Sequence, residues 1–337
     1  MQTMRDTMSG YVRTAYGLPH ENLELAELEI PPVDAGQVLI AVRATSVNAA
    51  DWHMLTGTPY LLRLDQGLRR PKHPPFGLDV AGTVVTVGAD VTNLEVGDEV
   101  FGEVNGSYAE YAIARARNVV RKPRNVTFEQ AAAVPVAGLT ALQGLRDHGR
   151  LEPGQHVLIN GASGGVGTFA VQIAKALGAE VTAVVSTGNA ATATSLGADD
   201  VVDYTQADFA DTAQRYDLIL DNVGNRPLAT MRRLLTDSGT YVMVSGPKGR
   251  WLGPVPRMLR GMVTFLLSKR TFGWFVARAD RDDLVFLGEL LETGQVTPVI
   301  ERTYPFAELP AALAHLGEGH SRGKSVVSFA APIDEEV

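Results

Sequence analysis

The sequence predicts an α/β protein in which a doubly wound parallel sheet interrupts a β-barrel-like domain. Three observations support this prediction. At 337 residues, the chain is long enough for about two domains of ordinary size. Its first part is a series of short β-rich runs, whereas its middle alternates strands with helices. Its last part again has the character of the first, which indicates that the middle is an insertion into one domain.

The N-terminal part is predicted to form a turn-rich β-domain. Glycines at positions 36, 88, 97 and 106 punctuate it, as turn residues do between strands. Its β-rich runs are 38–46, 81–87 and 99–103. From about residue 127 the composition changes to an Ala-rich stretch with helical spacing, which marks the end of this part.

The middle of the chain is predicted to form a parallel sheet with covering helices. Apolar strand patterns occur at 157–160, 180–185, 200–202, 218–221 and 241–244. Helical patterns at 165–177 and 190–196 separate the first of these strands. Because a helix between two strands is typical of a βαβ unit, these strands are expected to be parallel.

The C-terminal part is predicted to return to the first domain. It contains a helix at 284–292, a strand at 296–302, a second helix at 310–316 and a final strand at 325–329. We therefore predict one domain made of 1–136 and 279–337 and a second domain of 137–278.

Composition excludes several classes of function. The clusters of basic residues are short and lack interleaved aromatic residues, so nucleic acid is not expected as a partner. No apolar run approaches the roughly 18 residues that cross a bilayer, and the start has no hydrophobic leader, so we expect a cytoplasmic protein without a membrane partner. The absence of cysteine excludes disulfides and cysteine-ligated metals.

The most specific motif is a glycine-rich loop between a strand and a helix. It follows the apolar strand at 157–160 and consists of Gly161, Ala162, Ser163, Gly164, Gly165, Val166 and Gly167. Gly164 lets the backbone approach a pyrophosphate, Gly167 lets the helix pack closely, and the helix N-terminus presents N–H groups to phosphate. The loop predicts a dinucleotide-binding site, although a plain tight turn is the alternative.

A second turn is expected to face the same ligand. The strand at 218–221 ends before Asn222, Val223 and Gly224, at the edge where ligands bind in open α/β sheets. A plain Asn-Val-Gly turn is the alternative.

Several motifs together resemble one family. They are the glycine-rich loop and, in chain order, Asn48-Ala-Ala-Asp51, Gly77-Leu-Asp79-Val-Ala-Gly82, Val96-Gly-Asp98-Glu-Val-Phe101-Gly, Gly106-Ser-Tyr-Ala-Glu110-Tyr-Ala, Ala137-Gly-Leu-Thr140-Ala and Arg322-Gly-Lys324. Over nearly its whole length the chain resembles the medium-chain dehydrogenases/reductases of the quinone oxidoreductase (zeta-crystallin-like) branch. The resemblance implies a GroES-like catalytic domain made from both termini, a Rossmann domain between them and an active site in the cleft. It also implies a homodimer formed by extending the Rossmann sheet, for which 269–276 is the expected strand.

The resemblance also bears on metal. In the zinc-containing relatives, three protein ligands hold the catalytic ion. The corresponding positions here hold Asn48, Leu78 and Val136, none of which ligates zinc well. We therefore expect no metal.

The chemistry that remains is reduction of an activated acceptor. Without a Lewis acid, the alkoxide of a simple alcohol is not stabilised, and no Tyr-x-x-x-Lys motif occurs. A quinone or an α,β-unsaturated carbonyl instead accepts hydride to give a delocalised oxyanion. Asn48 is the expected donor to that oxyanion, Asp51 accompanies it, and the proton is expected from Tyr60, from water or from a ribose hydroxyl. As an alternative, Asn48 and Asp51 only cap the helix that begins near residue 49.

The resemblance places further residues at the cofactor. Thr140 is expected at the nicotinamide, Lys324 is expected to help hold the cofactor, and Tyr204 is expected at the 2′-phosphate of NADPH. NADPH is expected to be preferred because 185–189 contains no carboxylate, while Ser186 and Thr187 offer hydroxyls. Two alternatives remain, namely an aldehyde or alcohol oxidoreductase and a non-enzymatic, crystallin-like nucleotide-binding protein.

Overall fold

The computed structural model describes residues 6–73, 75–247, 249–319 and 321–330. The chain forms two compact units, each with its own core. The first unit consists of Met1–Val136, Ala279–Glu292 and Ile300–Val337, and the second of Ala137–Arg278 and Thr293–Val299.

The first unit is built on a mostly antiparallel sheet of seven strands, in the order β14-β15-β3-β4-β5-β7 with β6 paired to β3. A separate hairpin is formed by β1 (Thr7–Arg13) and β2 (Leu23–Glu29). The sheet strands are β3 (Gln37–Ser46), β4 (Asp79–Val87), β5 (Glu99–Glu103), β6 (Tyr111–Arg115), β7 (Val119–Arg121), β14 (Ile300–Pro305) and β15 (Lys324–Ser328). Antiparallel pairing of β15 with β3 joins the C-terminal segment to the N-terminal domain.

Apolar residues of β3 explain why this sheet folds. Val38, Ile40 and Val42 are almost completely buried and pack against residues of β4 and β5. Leu39 and Ala41, on the opposite face of β3, are also buried, so both faces of this strand are covered. The helices of this unit are α1 (Pro19–Asn22), α2 (Ala49–Thr56), α3 (Arg63–Gln66), α4 (Phe128–Ala132), α10 (Arg281–Glu292) and α11 (Leu309–Glu318).

The second unit is built on a parallel sheet of six strands, in the order β10-β9-β8-β11-β12-β13. The strands are β8 (His156–Asn160), β9 (Glu180–Val185), β10 (Asp200–Asp203), β11 (Tyr216–Asp221), β12 (Leu235–Met243) and β13 (Thr271–Trp274). The helices are α5 (Pro135–Leu142), which contains the boundary between the units, α6 (Gly165–Ala176), α7 (Ala190–Ser195), α8 (Leu228–Leu234) and α9 (Val255–Phe265). The predicted α/β fold with a doubly wound parallel sheet is confirmed.

Two expectations about the C-terminal part differ from the structure. The strand predicted at 296–302 begins only at Ile300, and Thr293–Val299 belongs to the second unit. The cause is Gln172 of α6, whose side chain accepts from Thr297 N at 2.8 Å and donates to Thr297 O at 3.1 Å. The strand expected for pairing between subunits, 269–276, contains β13, at one edge of the sheet.

Candidate active site

A buried polar cluster in the first unit is centred on Asp79, the first residue of β4. Asp79 has no exposed surface. Its Oδ2 accepts hydrogen bonds from Asn48 Nδ2 at 2.8 Å, from Lys324 Nζ at 3.3 Å and from the Ser46 hydroxyl. Its Oδ1 accepts from the backbone N–H of Val136 at 2.8 Å. Asp79 was part of a motif in the sequence, yet only the structure identifies it as the centre of the cluster.

Asn48 is held on both sides of its amide. Its Nδ2 donates to Asp79, and its Oδ1 accepts from Lys324 Nζ. An amide nitrogen has two N–H bonds, and the contact with Asp79 uses one of them. Asn48 keeps 6% of its surface exposed. The second N–H bond can therefore donate to an incoming oxygen atom.

Asp51 has the structural role that the alternative interpretation gave it. Its Oδ2 accepts the backbone N–H of Asn48 at 2.9 Å, so it caps the N-terminus of α2. Asn48 occupies the N-cap position, but its side chain also contacts Asp79 and Lys324. Capping and participation in the polar cluster thus coexist in Asn48.

Lys324 is a member of the cluster. Its ammonium group donates to Asn48 Oδ1, to Asp79 Oδ2 and, at 3.4 Å, to Val47 O, and its side chain is 4% exposed. An ammonium group has three N–H donors, and these three acceptors account for them. Lys324 therefore orients Asn48, and its expected contact with a cofactor stays a prediction.

The cluster contains more acid than base. Burial, and then the charge of Asp79, raises the pKa of Asp51 to about 7. Burial and the charges of Asp79 and Asp51 likewise raise the pKa of Glu103 to about 7. Burial, followed by the charge of Asp51, raises the pKa of the Tyr108 hydroxyl well above its usual value. Asp51 also interacts with the charges of Lys324 and of the buried Arg13, but burial and the neighbouring carboxylate outweigh them, so Asp51 and Glu103 exchange protons near neutral pH.

Tyr60 begins a short 3₁₀ turn, Tyr60–Leu62. The guanidinium group of Arg63 covers its ring at 4.5 Å from the ring centre. Leu61 and Leu62, which follow, are exposed. The ring of Trp52, on α2, packs directly against Gly317 of α11. The role of Tyr60 as a proton donor stays a prediction.

The glycine-rich loop in the second unit connects β8 to α6. Gly161 has φ of +79°, a conformation that favours glycine, and a Cβ there would lie 2.7 Å from the Val223 side chain. A Cβ at Gly167 would lie 2.1 Å from Gly161 O, so close packing of α6 requires glycine at this position. By contrast, a Cβ at Gly164 would meet only Gly161 O, at 3.7 Å. The N-terminus of α6 therefore has open space in front of it.

Asp221, the last residue of β11, fixes the second turn. Its Oδ1 accepts from Val223 N at 3.1 Å, from Gly224 N at 2.8 Å and from Asn160 Nδ2 at 2.8 Å. Its Oδ2 accepts the Tyr241 hydroxyl at 2.6 Å, and the Arg257 guanidinium lies 3.5 Å away. Sequence reasoning named the turn residues but missed this network, because its members are far apart in the chain.

The residues of this edge fit a dinucleotide. Both side-chain polar atoms of Asn222 are buried, and neither has a hydrogen-bond partner within the described part of the chain. A buried amide without partners is costly, so it indicates a ligand with complementary groups. The open N-terminus of α6 adds unpaired backbone N–H groups for a pyrophosphate.

The turn after β9 differs from expectation in one respect. The sequence showed no carboxylate in 185–189, yet the parallel pairing of β10 with β9 places Asp203 beside Val185. Asp203 accepts the Thr187 hydroxyl at 2.6 Å and the Thr205 hydroxyl at 2.7 Å, and these hydrogen bonds lower its pKa. Asn189 donates to Ser186 Oγ at 3.0 Å, and Tyr204 is half exposed. A carboxylate therefore lies at the turn that was expected to bind a 2′-phosphate.

Zinc does not fit the corresponding positions. Leu78 and Val136 have no side-chain donor atoms, and the Asn48 amide is engaged with Asp79 and Lys324. In the ranges that the structure describes, no group of three or more His, Asp or Glu side chains is arranged to hold a metal ion.

Two family patterns match the chain. The alcohol dehydrogenase GroES-like domain matches residues 34–124, within the first unit. The pattern described as zinc-binding dehydrogenase matches residues 196–327. The name of the second pattern refers to zinc, but the ligand positions above do not fit this ion.

Similar proteins match over most of the chain. Mouse NAD(P)H oxidoreductase RTN4IP1, mitochondrial, is 35% identical over 91% of this chain and 84% of its own length. The chloroplast envelope quinone oxidoreductase homolog of Arabidopsis thaliana is 32% identical over 93% of this chain and 96% of its own length. The solved structure of the quinone oxidoreductase from Coxiella burnetii has a TM-score of 0.84 and 29% identity, and covers 96% of this chain and 99% of that one.

The family of the chain follows from these similar proteins. Each covers both units, and the described polar cluster and glycine-rich loop occupy the motifs from which the sequence predicted the same family. The chain belongs to the zinc-independent, quinone oxidoreductase-like branch of the medium-chain dehydrogenases/reductases and is an NAD(P)H-dependent oxidoreductase.

Proposed function

We propose that this protein is an NADPH-dependent reductase of conjugated carbonyl compounds, either quinones or enones. The observation that carries the proposal is the Asn48 amide, which Asp79 and Lys324 hold with one N–H bond to spare. Relatives support the substrate class by their names, which include a chloroplast envelope quinone oxidoreductase homolog and the 2-methylene-furan-3-one reductase of Solanum lycopersicum, 32% identical over 95% of this chain.

Asn48 is the group that stabilises the product oxyanion. Bound NADPH supplies the hydride, and the carbonyl oxygen of the acceptor then gains negative charge. The remaining N–H bond of Asn48 donates to this oxygen. Because Lys324 donates to the Oδ1 of the same amide, it polarises the amide and strengthens the N–H donor. Since Asp79 and Lys324 fix the amide before the reaction, its orientation costs little when charge develops.

The Tyr60 hydroxyl delivers the proton that completes the reduction, and solvent water is the alternative donor. Asp51 does not take this role in our proposal, because its carboxylate caps α2 and it has no exposed surface. Its contribution is to hold the backbone of Asn48.

The cofactor binds on the second unit. The loop from Gly161 to Gly167 and the N-terminus of α6 would hold the pyrophosphate, Asn222 would bind a polar group of the cofactor, and Thr140 would lie at the nicotinamide. The hydroxyls of Ser186 and Tyr204 supply donors for the 2′-phosphate, which favours NADPH, whereas the Thr187 hydroxyl donates to Asp203. The carboxylate of Asp203 opposes this phosphate, so we expect the preference for NADPH to be modest.

We also propose a cytoplasmic homodimer. Strand β13 lies at the edge of the sheet of the second unit, and one of its sides is available for pairing with the same strand of a second copy. A reducing compartment agrees with the absence of cysteine. Light scattering and cell fractionation measure these two properties directly.

The test compares two variants of the cluster across a panel of acceptors. NADPH oxidation is followed with quinones, enones and aldehydes for the wild type, Asn48→Ala and Ser46→Ala. Ser46 is the matched control because it donates to the same Asp79 oxygen but offers no amide N–H. We expect Asn48→Ala to lower kcat by about 10²–10³-fold with its best acceptor, and to change the Kd of NADPH little. The effect of Ser46→Ala should be much smaller.

Two outcomes would contradict the proposal. If the wild type reduces only aldehydes, the substrate class is wrong. If Asn48→Ala and Ser46→Ala lower kcat equally, the amide acts only through Asp79 and does not bind the oxyanion.

A further inference from the structure

Helix α9 of the second unit has two apolar faces. One face packs on the sheet, where Phe265 is buried and Gly261 touches the ring of Phe272. The other face is exposed and comprises Leu259, Met262 and Val263, and the exposed Leu266 and Leu267 continue it in the turn that follows the helix. Positions three and four apart fall on one side of a helix, so these residues form a continuous stripe. Leu266 is 76% exposed and Leu267 100%. If this segment only packed on the sheet, polar residues would be expected at these exposed positions.

Neighbouring segments extend this stripe. Trp251 is 73% exposed and Leu252 49%, just before the helix. Beside the stripe, a groove of about 600 Å³ lies between α9 and the start of α8, and Pro227, Leu228, Leu259 and Val263 are among its lining residues. We call the stripe together with Trp251 and Leu252 the apolar face. A patch of this kind on one element marks an interaction surface.

The segment of chain that contains the apolar face is rich in basic residues. From Arg226 to Arg278 the sequence has ten Lys and Arg residues and one Asp, whereas the rest of the chain has 20 Lys and Arg and 37 Asp and Glu. Arg257 and Arg270 pair with Asp221 and Asp237. Arg250, Arg260 and Lys269 are exposed near the two ends of α9 or along it. The apolar face therefore lies in a basic region of an otherwise acidic protein.

We propose that the apolar face binds the surface of an anionic lipid bilayer, with α9 lying in the plane of the membrane. An exposed amphipathic helix with bulky apolar residues, a tryptophan and basic flanks is suited to the boundary between headgroups and acyl chains. Anionic headgroups attract juxtaposed Lys and Arg. No helix among the described residues is long and apolar enough to cross a membrane, so the association is peripheral.

Charge favours an anionic bilayer over a second copy of the chain as the partner of the apolar face. A twofold interface through the apolar face would bring the same basic residues of both copies together. Their repulsion would oppose that contact, whereas an anionic bilayer complements them. Pairing of two copies through β13 would use the edge of the sheet, beside the buried face of α9 that packs on Phe272, whereas the apolar face lies on the other side of the helix.

The experiment measures sedimentation of the full chain with lipid vesicles. One set is phosphatidylcholine alone, and the other contains about one third phosphatidylglycerol. We expect binding to the anionic vesicles to exceed binding to the neutral ones by at least about tenfold and to decrease with added salt. The fluorescence of the wild type should shift to the blue with anionic vesicles and that of Trp251→Phe should not.

Matched variants test whether the apolar face and its basic residues are the part of the protein that binds the vesicles. The double variant Leu266→Ser with Leu267→Ser should lower binding by about tenfold or more, as should Arg260→Glu with Lys269→Glu. Leu25→Ser is the control, because Leu25 is 56% exposed on β2 of the first unit and outside the apolar face. All these positions are exposed, so the variants should keep the wild-type thermal transition and the wild-type rate with a water-soluble acceptor.

Three results would overturn the proposal. They are equal binding to neutral and anionic vesicles, no loss of binding in the leucine variant, and loss of a dimer in that variant with no vesicle binding by the wild type. The last result would assign the apolar face to a second copy. Because vesicle binding is measured without an acceptor, failure of the proposed enzymatic function would leave this outcome unaffected.

Discussion

Asp79 in the first unit and Asp221 in the second have similar surroundings but different charge balance. Both are completely buried, and each accepts an asparagine side-chain amide at 2.8 Å. Each faces one cation, Lys324 at 3.3 Å for Asp79 and Arg257 at 3.5 Å for Asp221. Each also accepts a backbone N–H and so fixes a neighbouring segment of chain.

The difference lies in what surrounds each pair. Asp221 has one arginine and the hydroxyl of Tyr241, so its charge is matched. Asp79 pairs with Lys324, but two further carboxyl groups lie close to it, Asp51 and Glu103, and burial together with the charge of Asp79 raises the pKa of each to about 7. A buried aspartate therefore has a different effect in each unit. Asp221 holds a turn in place, whereas Asp79 belongs to a cluster whose other carboxyl groups change protonation near neutral pH.

The largest effect should come from removing Asp79. Asp79→Ala leaves the ammonium group of Lys324 buried without its anion, and we expect the free energy of unfolding to fall by about 3–5 kcal/mol. Removing Lys324 in the same chain, as in Asp79→Ala with Lys324→Met, should restore part of this loss. Urea denaturation of the two variants and of Lys324→Met alone measures the coupling. Additive losses would show that the two groups do not interact as a pair.

The counterpart in the second unit should affect nucleotide binding in addition to stability. Asp221→Ala releases the N–H groups of Val223 and Gly224, so the turn is no longer fixed. We expect the Kd of NADPH to rise by about tenfold, which corresponds to about 1.4 kcal/mol. Tyr241→Phe is the control, since it removes a donor to the other oxygen and leaves the turn in place. Equal weakening by both variants would contradict a role for the turn.

The fold could be predicted from the sequence to a large extent, and particular elements show why. β9 and β5 were predicted with the bounds they have, because each is a short apolar run between turn residues. α9 was missed, although its polar residues Arg257, Arg260 and Thr264 recur at helical spacing between apolar ones. The placement of Thr293–Val299 was missed because it depends on Gln172, which is distant in the chain.

The candidate site was predicted less completely. Asn48 and the glycine-rich loop were found because motifs mark them, whereas the two buried aspartates look like ordinary strand ends in a sequence. Asp203 was missed for a related reason. Only the register of β10 against β9 brings it to the turn at 185–189, and no local pattern reports a register between parallel strands.

The protonation of the first cluster can be tested by pH. The pKa of Asp51 is about 7 in the folded protein, above its ordinary value of 3.8. A raised pKa means that the folded state binds the proton more tightly, so this contribution to stability is complete below pH 3.8 and is lost as the pH rises to about 7. Relative to Asp51→Asn, the wild type should lose on the order of 2–4 kcal/mol over this window, since one pKa unit is about 1.4 kcal/mol.

The control for this experiment has the opposite sign. Arg121 lowers the pKa of Asp98, so Asp98 stabilises the fold above its ordinary pKa and loses that contribution as the pH falls. Asp98→Asn should therefore diverge from the wild type at high pH with a lower stability. Parallel profiles of the wild type and Asp51→Asn would show that Asp51 is ionised in both states.

The smallest effect is expected at the turn after β9, where the carboxylate of Asp203 is expected to weaken the binding of NADPH but not of NADH. Asp203 holds the hydroxyls of Thr187 and Thr205, and its carboxylate would repel a 2′-phosphate bound there. Asp203→Asn keeps an oxygen acceptor but removes the charge, so the Kd of NADPH should fall by about three- to tenfold while that of NADH stays the same. Ser186→Asp adds a carboxylate at the same turn and should weaken NADPH. Fluorescence titration of both cofactors measures these constants without any acceptor. If Asp203→Asn changed both constants equally, or if Ser186→Asp left NADPH binding intact, the 2′-phosphate would bind elsewhere and the charge of Asp203 would have no part in cofactor choice.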